Sequence, residues 1–113
     1  MKREHLANFN IAGFTYYEGT LCFQELKIGT ALNLVLEEDN KYDARAVIIY
    51  FGGYKLGYIP RNENRIFHKL LKIGFTNFDI RIQRIDPTEQ PENQMQVVVH
   101  LVSTKDDKQG NLS

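Results

Sequence analysis

Polar and apolar residues alternate with a period of two in three stretches of the chain, residues 30–37, 78–85 and 95–102. This alternation is typical of a β-strand that buries one face, because successive side chains point to opposite sides of the strand. In the second stretch the alternation breaks at Ile85. An extra residue in the strand would explain the break, so the pattern predicts a β-bulge. The pattern also predicts an earlier strand at residues 9–14.

Two adjacent tyrosines, Tyr16 and Tyr17, follow that first strand. If the strand continues through them, their rings point to opposite faces, so one joins the core and the other is exposed. The next segment, residues 20–29, fits either a short helix or an irregular apolar stretch.

A two-glycine turn signal, Gly52-Gly53, separates two short runs rich in β-branched and aromatic residues, 46–51 and 54–59. This arrangement predicts a β-hairpin, because glycine reaches the positive φ that tight hairpin turns require. In a hairpin the start of the first strand lies beside the end of the second. An aromatic face, a carboxylate and a guanidinium are therefore predicted to gather at one end, from Tyr42, Asp43, Tyr58 and Arg61.

After Pro60 the period of the apolar residues changes to about 3.6, which predicts a helix. Asn62 is the candidate N-cap, and Gly74 ends the helix. Lys69 and Lys72 fall in the last turn, where cations complement the helix dipole. The apolar stripe consists of Ile66, Phe67, Leu70, Leu71 and Ile73.

About six short strands and one or two helices in 113 residues predict a mainly β (α+β) fold. Chains of this size and pattern form small barrels of the oligonucleotide-binding (OB) or SH3-like kind. The predicted barrel domain covers residues 9–102. We expect residues 1–8 to be a flexible N-terminal arm and residues 103–113 a flexible C-terminal tail.

The composition excludes several classes of protein. No apolar run is long enough to cross a bilayer, and no signal-peptide core follows the N-terminus, which predicts a cytoplasmic protein without a membrane partner. One cysteine and three scattered histidines give neither an internal disulfide nor zinc-ligand spacing. Catalytic Ser/His/Asp or Cys/His sets and phosphate-binding glycine loops are also missing. The sequence therefore predicts a binding module with no catalytic residues, cofactor or metal.

The formal net charge of zero hides an uneven distribution. Residues 41–84 hold nine basic and three acidic side chains, so this segment carries +6 and the rest of the chain −6. Such a local field can steer an anionic ligand whatever the total charge. An ordinary solvated surface with unevenly placed charges explains the same numbers equally well.

Several motifs along the chain resemble the HIRAN domain, and the resemblance covers residues 9–102. The most specific feature is the order and separation of two blocks. They are Asn40-x-Tyr42-Asp43-x-x-Ala46-Val47 and Leu56-Gly57-Tyr58-Ile59-Pro60-Arg61, with Tyr16-Tyr17-x-Gly19 before them and Leu70-Leu71-x-x-Gly74 after them. The chain looks like a stand-alone member of the bacterial type.

The resemblance implies an OB-like barrel that holds the 3′ end of single-stranded DNA. By the family motif, Tyr16 and Tyr42 stack on the end base and Asp43 accepts a hydrogen bond from the free 3′-hydroxyl. Tyr17 and Asn40 lie alongside, and Arg61 contacts phosphate. The setting stays open between DNA repair, phage defence and other processes, and other DNA-processing proteins are candidate further partners. The best-understood member carries an arginine where this chain has Thr15.

The chemistry of these residues suits a nucleic-acid end. Aromatic rings stack on any base, each for roughly 1–3 kcal/mol. A carboxylate near DNA is useful only where it accepts from a hydroxyl that internal nucleotides lack. The cations expected to offset its repulsion of phosphate are Arg61, Arg65, Lys55 and Lys41.

Ordinary structural roles are open for the same residues. Tyr17 is more often a core residue, Tyr16 and Tyr42 can be half-exposed strand residues, and Asn40 and Asp43 can be turn formers. A second function is also open, a protein-interaction module that uses the same aromatic groove or a barrel edge.

Overall fold

Residues 2–103 are described by the structure, a computed structural model, apart from the side chain of Pro91. They form six strands, one α-helix and four 3-10 turns. The strands are β1 Arg3–Asn10, β2 Ala31–Leu36, β3 Val47–Phe51, β4 Tyr54–Tyr58, β5 Phe78–Ile85 and β6 Met95–Val102, and the helix is α1 Asn64–Lys72. The 3-10 turns are Phe14–Tyr16, Gly19–Leu21, Phe23–Glu25 and Pro91–Asn93.

All six strands belong to one antiparallel sheet with the order β1-β6-β5-β2-β3-β4. The prediction of a mainly β fold is confirmed. The sheet does not close, so the predicted barrel describes it only loosely. Its two edge strands approach at one end, where the backbone of Ala12 exchanges two hydrogen bonds of 2.9 Å with Tyr58. This single bridge links the chain after β1 to the end of β4.

The core forms where helix α1 packs against the sheet. Phe67 of α1 is fully buried. Its ring lies 5.8 Å from that of Phe9 and 5.6 Å from that of Phe78. The strands supply most of the other buried side chains, including Leu32, Val47, Ile49, Ile80, Ile82, Met95, Val97 and Val99. The predicted hairpin around Gly52-Gly53 is confirmed, as is the bulge in β5.

The N-terminal arm was wrongly predicted. Residues 3–8 form most of β1, which pairs antiparallel with β6. The segment has little apolar pattern of its own, and the backbone hydrogen bonds to β6 hold it in place. Ser103 donates its backbone N–H to the carbonyl of Lys2. The other residues of the predicted C-terminal tail, 104–113, lie outside the described part of the chain.

The region around the two tyrosines also differs from the strand that was predicted. Gly13 has a positive φ of 75° and turns the chain into the 3-10 turn Phe14–Tyr16. The ring of Phe14 is buried, whereas Tyr16 is exposed. Residues 20–29, which the sequence left open, contain two short 3-10 turns and an irregular stretch.

Helix α1 begins one residue later than predicted, because its N-cap is the residue after Asn62. Its N-cap is Glu63, which makes no capping hydrogen bond from its side chain. The side chain of Asn64 is instead buried and donates to Asp43. Of the predicted apolar stripe, Ile66 and Ile73 are exposed, because the helix covers the sheet with a narrower face centred on Phe67.

Gly57 allows the close approach that makes the Ala12–Tyr58 bridge possible. Strand β4 has an irregular register at this point, and the φ of Gly57 is +151°. A Cβ on Gly57 would lie 2.3 Å from the carbonyl oxygen of Ala12 and 2.7 Å from Ile11. No side chain fits there without moving the backbone.

We expect Gly57→Ala to lower the free energy of unfolding by about 2–4 kcal/mol, because the methyl group displaces the Ala12 backbone and the φ is strained. Urea unfolding followed by circular dichroism measures this loss. Gly53→Ala is the matched control, since no atom lies within 4 Å of its Cβ position. Equal losses in the two variants would contradict the role of the close approach.

Candidate functional site

An open cleft of about 700 Å³ lies where the hairpin ends meet the Ala12–Tyr58 bridge. The end of β4, the loop between β2 and β3, and the turn after β1 form its walls. The cleft brings together six of the residues singled out from the sequence, namely Tyr17, Asn40, Tyr42, Asp43, Tyr58 and Arg61. The antiparallel geometry of the hairpin places four of them there, as the sequence predicted.

Asn40 shapes the loop that forms one wall. Its Oδ1 accepts hydrogen bonds from the backbone N–H groups of Tyr42 and Asp43, both at 2.8 Å. Its Nδ2 donates to Glu37 Oε1 at 2.7 Å. Asn40 therefore acts as a turn former, and the turn leaves the ring of Tyr42 85% exposed at the mouth of the cleft.

The carboxylate of Asp43 is held on both oxygens. Oδ1 accepts from the backbone N–H of Arg45 and Oδ2 accepts from Asn64 Nδ2, each at 2.9 Å. Arg61 Nε lies 3.9 Å from Oδ2. The Asp43 side chain keeps 17% of its surface exposed, so one side of a fixed carboxylate faces the cleft and can accept a further hydrogen bond.

Asn64, which holds this carboxylate, has no exposed surface. Its Oδ1 has no hydrogen-bond partner among the described residues. Burial of an amide oxygen without a partner costs free energy, so the donation to Asp43 is the compensating interaction. This role could not be predicted from the sequence, because Asn64 resembles any other polar residue of a first helical turn.

The opposite wall is built around Lys55. Its ammonium nitrogen lies 4.4 Å from the ring centre of Tyr17 and 4.6 Å from that of Tyr58. It also donates to the Tyr58 hydroxyl at 2.8 Å. Burial opposes the charge of Lys55, but the hydrogen bond to Tyr58 and the attraction of Glu37 outweigh it and raise the pKa. Lys55 thus fixes two aromatic rings, whereas the sequence suggested a cation directed at phosphate.

Glu37 connects the two walls. Its Oε1 accepts from the Tyr58 hydroxyl at 2.6 Å and from Asn40 Nδ2 at 2.7 Å, and its Oε2 lies 3.7 Å from Lys55 Nζ. The hydrogen bond from Tyr58 is the main cause that holds the pKa of Glu37 below its ordinary value. Burial and the bond to Glu37 raise the pKa of Tyr58. Sequence reasoning missed Glu37, because two of its three partners, Tyr58 and Lys55, come from strand β4.

Three predicted site residues, Tyr16, Lys55 and Arg65, are not among those that line the cleft. Lys55 contacts Tyr17 and Tyr58, which do line it. Tyr16 is 85% exposed, and its ring lies 3.9 Å from where a Cβ on Gly13 would be, which places it at the rim. Arg65 is exposed on α1. Within residues 2–103, no group of three or more His, Cys, Asp or Glu side chains could hold a metal. No helix in that range is long and apolar enough to cross a membrane.

Comparisons with known proteins agree with this fold. The family model described as HIRAN domain matches residues 5–102. A crystal structure of a protein from Lactobacillus plantarum has a TM-score of 0.75 with this chain, at 22% sequence identity. The alignment covers 88% of this chain and 95% of that one, so the two proteins share a fold. No curated protein matches.

The contacts of Glu37 predict the effect of two substitutions. Glu37→Ala should lower the free energy of unfolding by about 1–3 kcal/mol, because Tyr58, Asn40 and Lys55 lose an acceptor. Glu37→Gln should cost less than half as much, since Tyr58 and Asn40 both bind the same oxygen, Oε1, which the amide retains. Urea unfolding at pH 7 measures both losses.

The Glu37→Gln variant and the wild type should also differ in how their free energy of unfolding depends on pH. Folding lowers the pKa of Glu37 below 4.5, so this group stabilises the fold above that pH. The contribution disappears as the pH falls through the lowered value. Glu37→Gln should therefore lose less stability than the wild type on acidification below 4.5. Identical pH profiles would contradict this assignment.

Proposed function

The chain belongs to the HIRAN domain family, a family of DNA-binding modules, and we propose that its cleft binds the 3′ end of single-stranded DNA. The observation that carries the proposal is the Asp43 carboxylate, which is fixed on two sides and open to the cleft on a third. An ionised carboxylate can only accept hydrogen bonds. It selects a hydroxyl, which donates, over a phosphate, which it repels.

The aromatic rings around this carboxylate support the same ligand. Tyr42 presents an exposed ring at the mouth, and Tyr16 lies exposed at the rim beside Gly13. Tyr17 forms the inner wall with its ring packed edge-on against Tyr58. A terminal base can stack on such rings whatever its sequence, because every base has a π-face.

Arg61 can neutralise the negative charge of a DNA phosphate, since its side chain lines the cleft and is 71% exposed. Its guanidinium pairs loosely with Asp43, at 3.9 Å. It can therefore turn to a phosphate of the bound strand at little cost, since exposed ion pairs contribute little. Lys41 also lines the cleft. Thr15 supplies no charge where the best-understood relative has an arginine.

One observation favours the alternative, a protein-interaction module. The sheet is open, and β1 is an edge strand. A peptide could extend the sheet there by backbone hydrogen bonding. Binding of that kind would not depend on a 3′-hydroxyl and would not weaken steeply with salt, whereas binding to DNA phosphates would.

The test of end recognition compares Asp43→Asn with the wild type. The amide keeps the oxygen that accepts from Arg45, and the unpartnered Oδ1 of Asn64 can accept from the new amide nitrogen after a flip. We expect this variant to fold normally. It should lose most of the preference for a free 3′-hydroxyl, about tenfold or more, because hydrogen bonds to a charged acceptor contribute roughly 1.5–3 kcal/mol.

Fluorescence anisotropy with matched oligonucleotides, bearing a 3′-hydroxyl or a 3′-phosphate, measures the preference. Tighter binding of the hydroxyl end by the wild type, reduced in the variant, supports the proposal. Equal binding of the two ends would leave a general single-strand binder in which Asp43 is a turn former. Absence of binding at low salt would refute DNA binding and favour the peptide alternative.

Tyr42 provides a second test. Tyr42→Ala should weaken binding of single-stranded DNA by about 5- to 100-fold through loss of stacking, and Tyr42→Phe should bind nearly as the wild type does. Stability should change little, because the ring is 85% exposed. Tyr54→Ala is the control, since Tyr54 is a partly exposed tyrosine beside the hairpin turn, at the far end from the cleft. A loss of affinity as large in the control would contradict a stacking role.

A further inference from the structure

The exposed face of helix α1 carries three cations and no anion. They are Arg65, Lys69 and Lys72, here called the basic stripe, and all three are exposed. At 3.6 residues per turn, their spacing places them within about 60° of one another around the axis. The buried residues Asn64 and Phe67 lie on the opposite side of the helix.

The stripe is electrostatically uncompensated. Within residues 2–103, no salt bridge or side-chain hydrogen bond involves any of its three members. The arginines on the sheet are different, because Arg3 and Arg81 both pair with Asp79, and Arg84 pairs with Asp86. The helix itself contains no acidic residue. These three cations are therefore free to meet an anion from outside.

Helix stability accounts for only part of the stripe. Lys69 and Lys72 lie in the last turn, where the helix dipole favours cations. Arg65 lies in the first turn, beside the positive end of the dipole, where a cation is unfavourable. No acidic partner offsets this placement in the described chain. Binding of an external anion would explain why a cation stands at a position where it does not stabilise the helix.

The stripe starts next to the cleft. Arg61 lines the cleft, and α1 begins three residues later, where Asn64 binds Asp43. From Arg65 to Lys72 the helix rises about 10 Å, which is roughly the length of three stacked nucleotides at about 3.4 Å each. A strand whose end occupies the cleft could pass Arg61 and continue along this face.

We infer that the basic stripe binds the phosphates of the nucleotides that precede the 3′-terminal one, so that the strand runs from the cleft along α1. The inference rests on the proposed function for the direction of the strand. It adds a second surface, with Lys69 and Lys72 as contacts, and it makes affinity depend on the length of the DNA.

The experiment compares Lys69→Gln/Lys72→Gln with the wild type on two probes with free 3′-hydroxyls. One is dithymidine, which fills only the cleft. The other is an oligothymidylate of about ten nucleotides, long enough to reach along the stripe. The double variant should bind the long probe about tenfold more weakly at moderate salt, and its slope of log K against log salt should fall by about 1.4, or about 0.7 for each lost phosphate contact. Its binding of dithymidine, measured by competition, should be unchanged.

Lys27→Gln is the control, and it is charge-matched to either single variant, Lys69→Gln or Lys72→Gln, each of which should lose about half of the effect of the double variant. Lys27 is exposed and precedes β2, whereas the cleft lies after the other end of that strand. This variant should bind both probes as the wild type does, with the same salt slope. An equal loss in the control would mean that net charge acts without a defined path, and would overturn the inference.

The remaining outcomes separate the two proposals. Hydroxyl-dependent binding of both probes, with the long probe unaffected in the double variant, overturns the basic stripe and leaves end recognition intact. Binding of the long probe that requires Lys69 and Lys72 but ignores the 3′ end supports the stripe and overturns end recognition. If the wild type binds neither probe at low salt, both proposals fail.

Discussion

The contact between Ala12 and the end of strand β4 is the constraint on which the rest of the site depends. Both backbone groups of Tyr58 bond to Ala12, and Gly57 lets the two segments approach this closely. Without this contact, strand β1 and the hairpin of β3 and β4 would be connected only through the strands that lie between them in the sheet. With it, the turn after β1 is held beside the hairpin, and the space between them becomes a cleft. One glycine therefore connects the topology of the sheet to the geometry of the site.

A chain of polar contacts then holds the two walls of the cleft at a fixed distance. Lys55 donates to Tyr58, Tyr58 donates to Glu37, and Asn40 donates to Glu37 from the other side. Asn40 in turn shapes the loop that carries Tyr42. Each member satisfies a neighbour that would otherwise be partly buried without a partner, so the members stabilise one another. Such preorganisation reduces the conformational entropy that a ligand must offset on binding.

Electrostatics divides the surface into two functional regions. Inside the cleft, acidic groups are frequent: Glu37, Asp39 and Asp43 all line it. This is an unusual environment for a polyanion, and it suits the proposed recognition of a free 3′-hydroxyl, a donor that the sugar–phosphate backbone of internal nucleotides lacks. Outside the cleft, the exposed cations of α1 supply attraction that does not depend on sequence. In the proposed complex the acidic groups would provide selectivity and the basic groups affinity, which agrees with the +6 charge of residues 41–84.

The amino-acid sequence by itself determined the local elements and one junction between them. Alternation marked β2, β5 and β6, the Gly-Gly turn marked the hairpin, and antiparallel pairing brought Tyr42 and Asp43 near Tyr58 and Arg61. These features follow from neighbours in sequence or from a single hairpin, so the pattern of the chain is sufficient to predict them.

The remaining features depend on contacts between segments that are distant in the chain. Residues 3–8 became a strand because β6 offered them a pairing edge, not because of their own pattern. Glu37 and Asn64 each acquired a role from a partner 21 residues away. Lys55 acquired its role from Tyr17 and Glu37, which the fold brings beside it. A carboxylate, an ammonium or an amide looks the same in a sequence whether it faces water or a buried partner. Its role is set by which donors and acceptors the packed sheet and helix place within hydrogen-bonding distance.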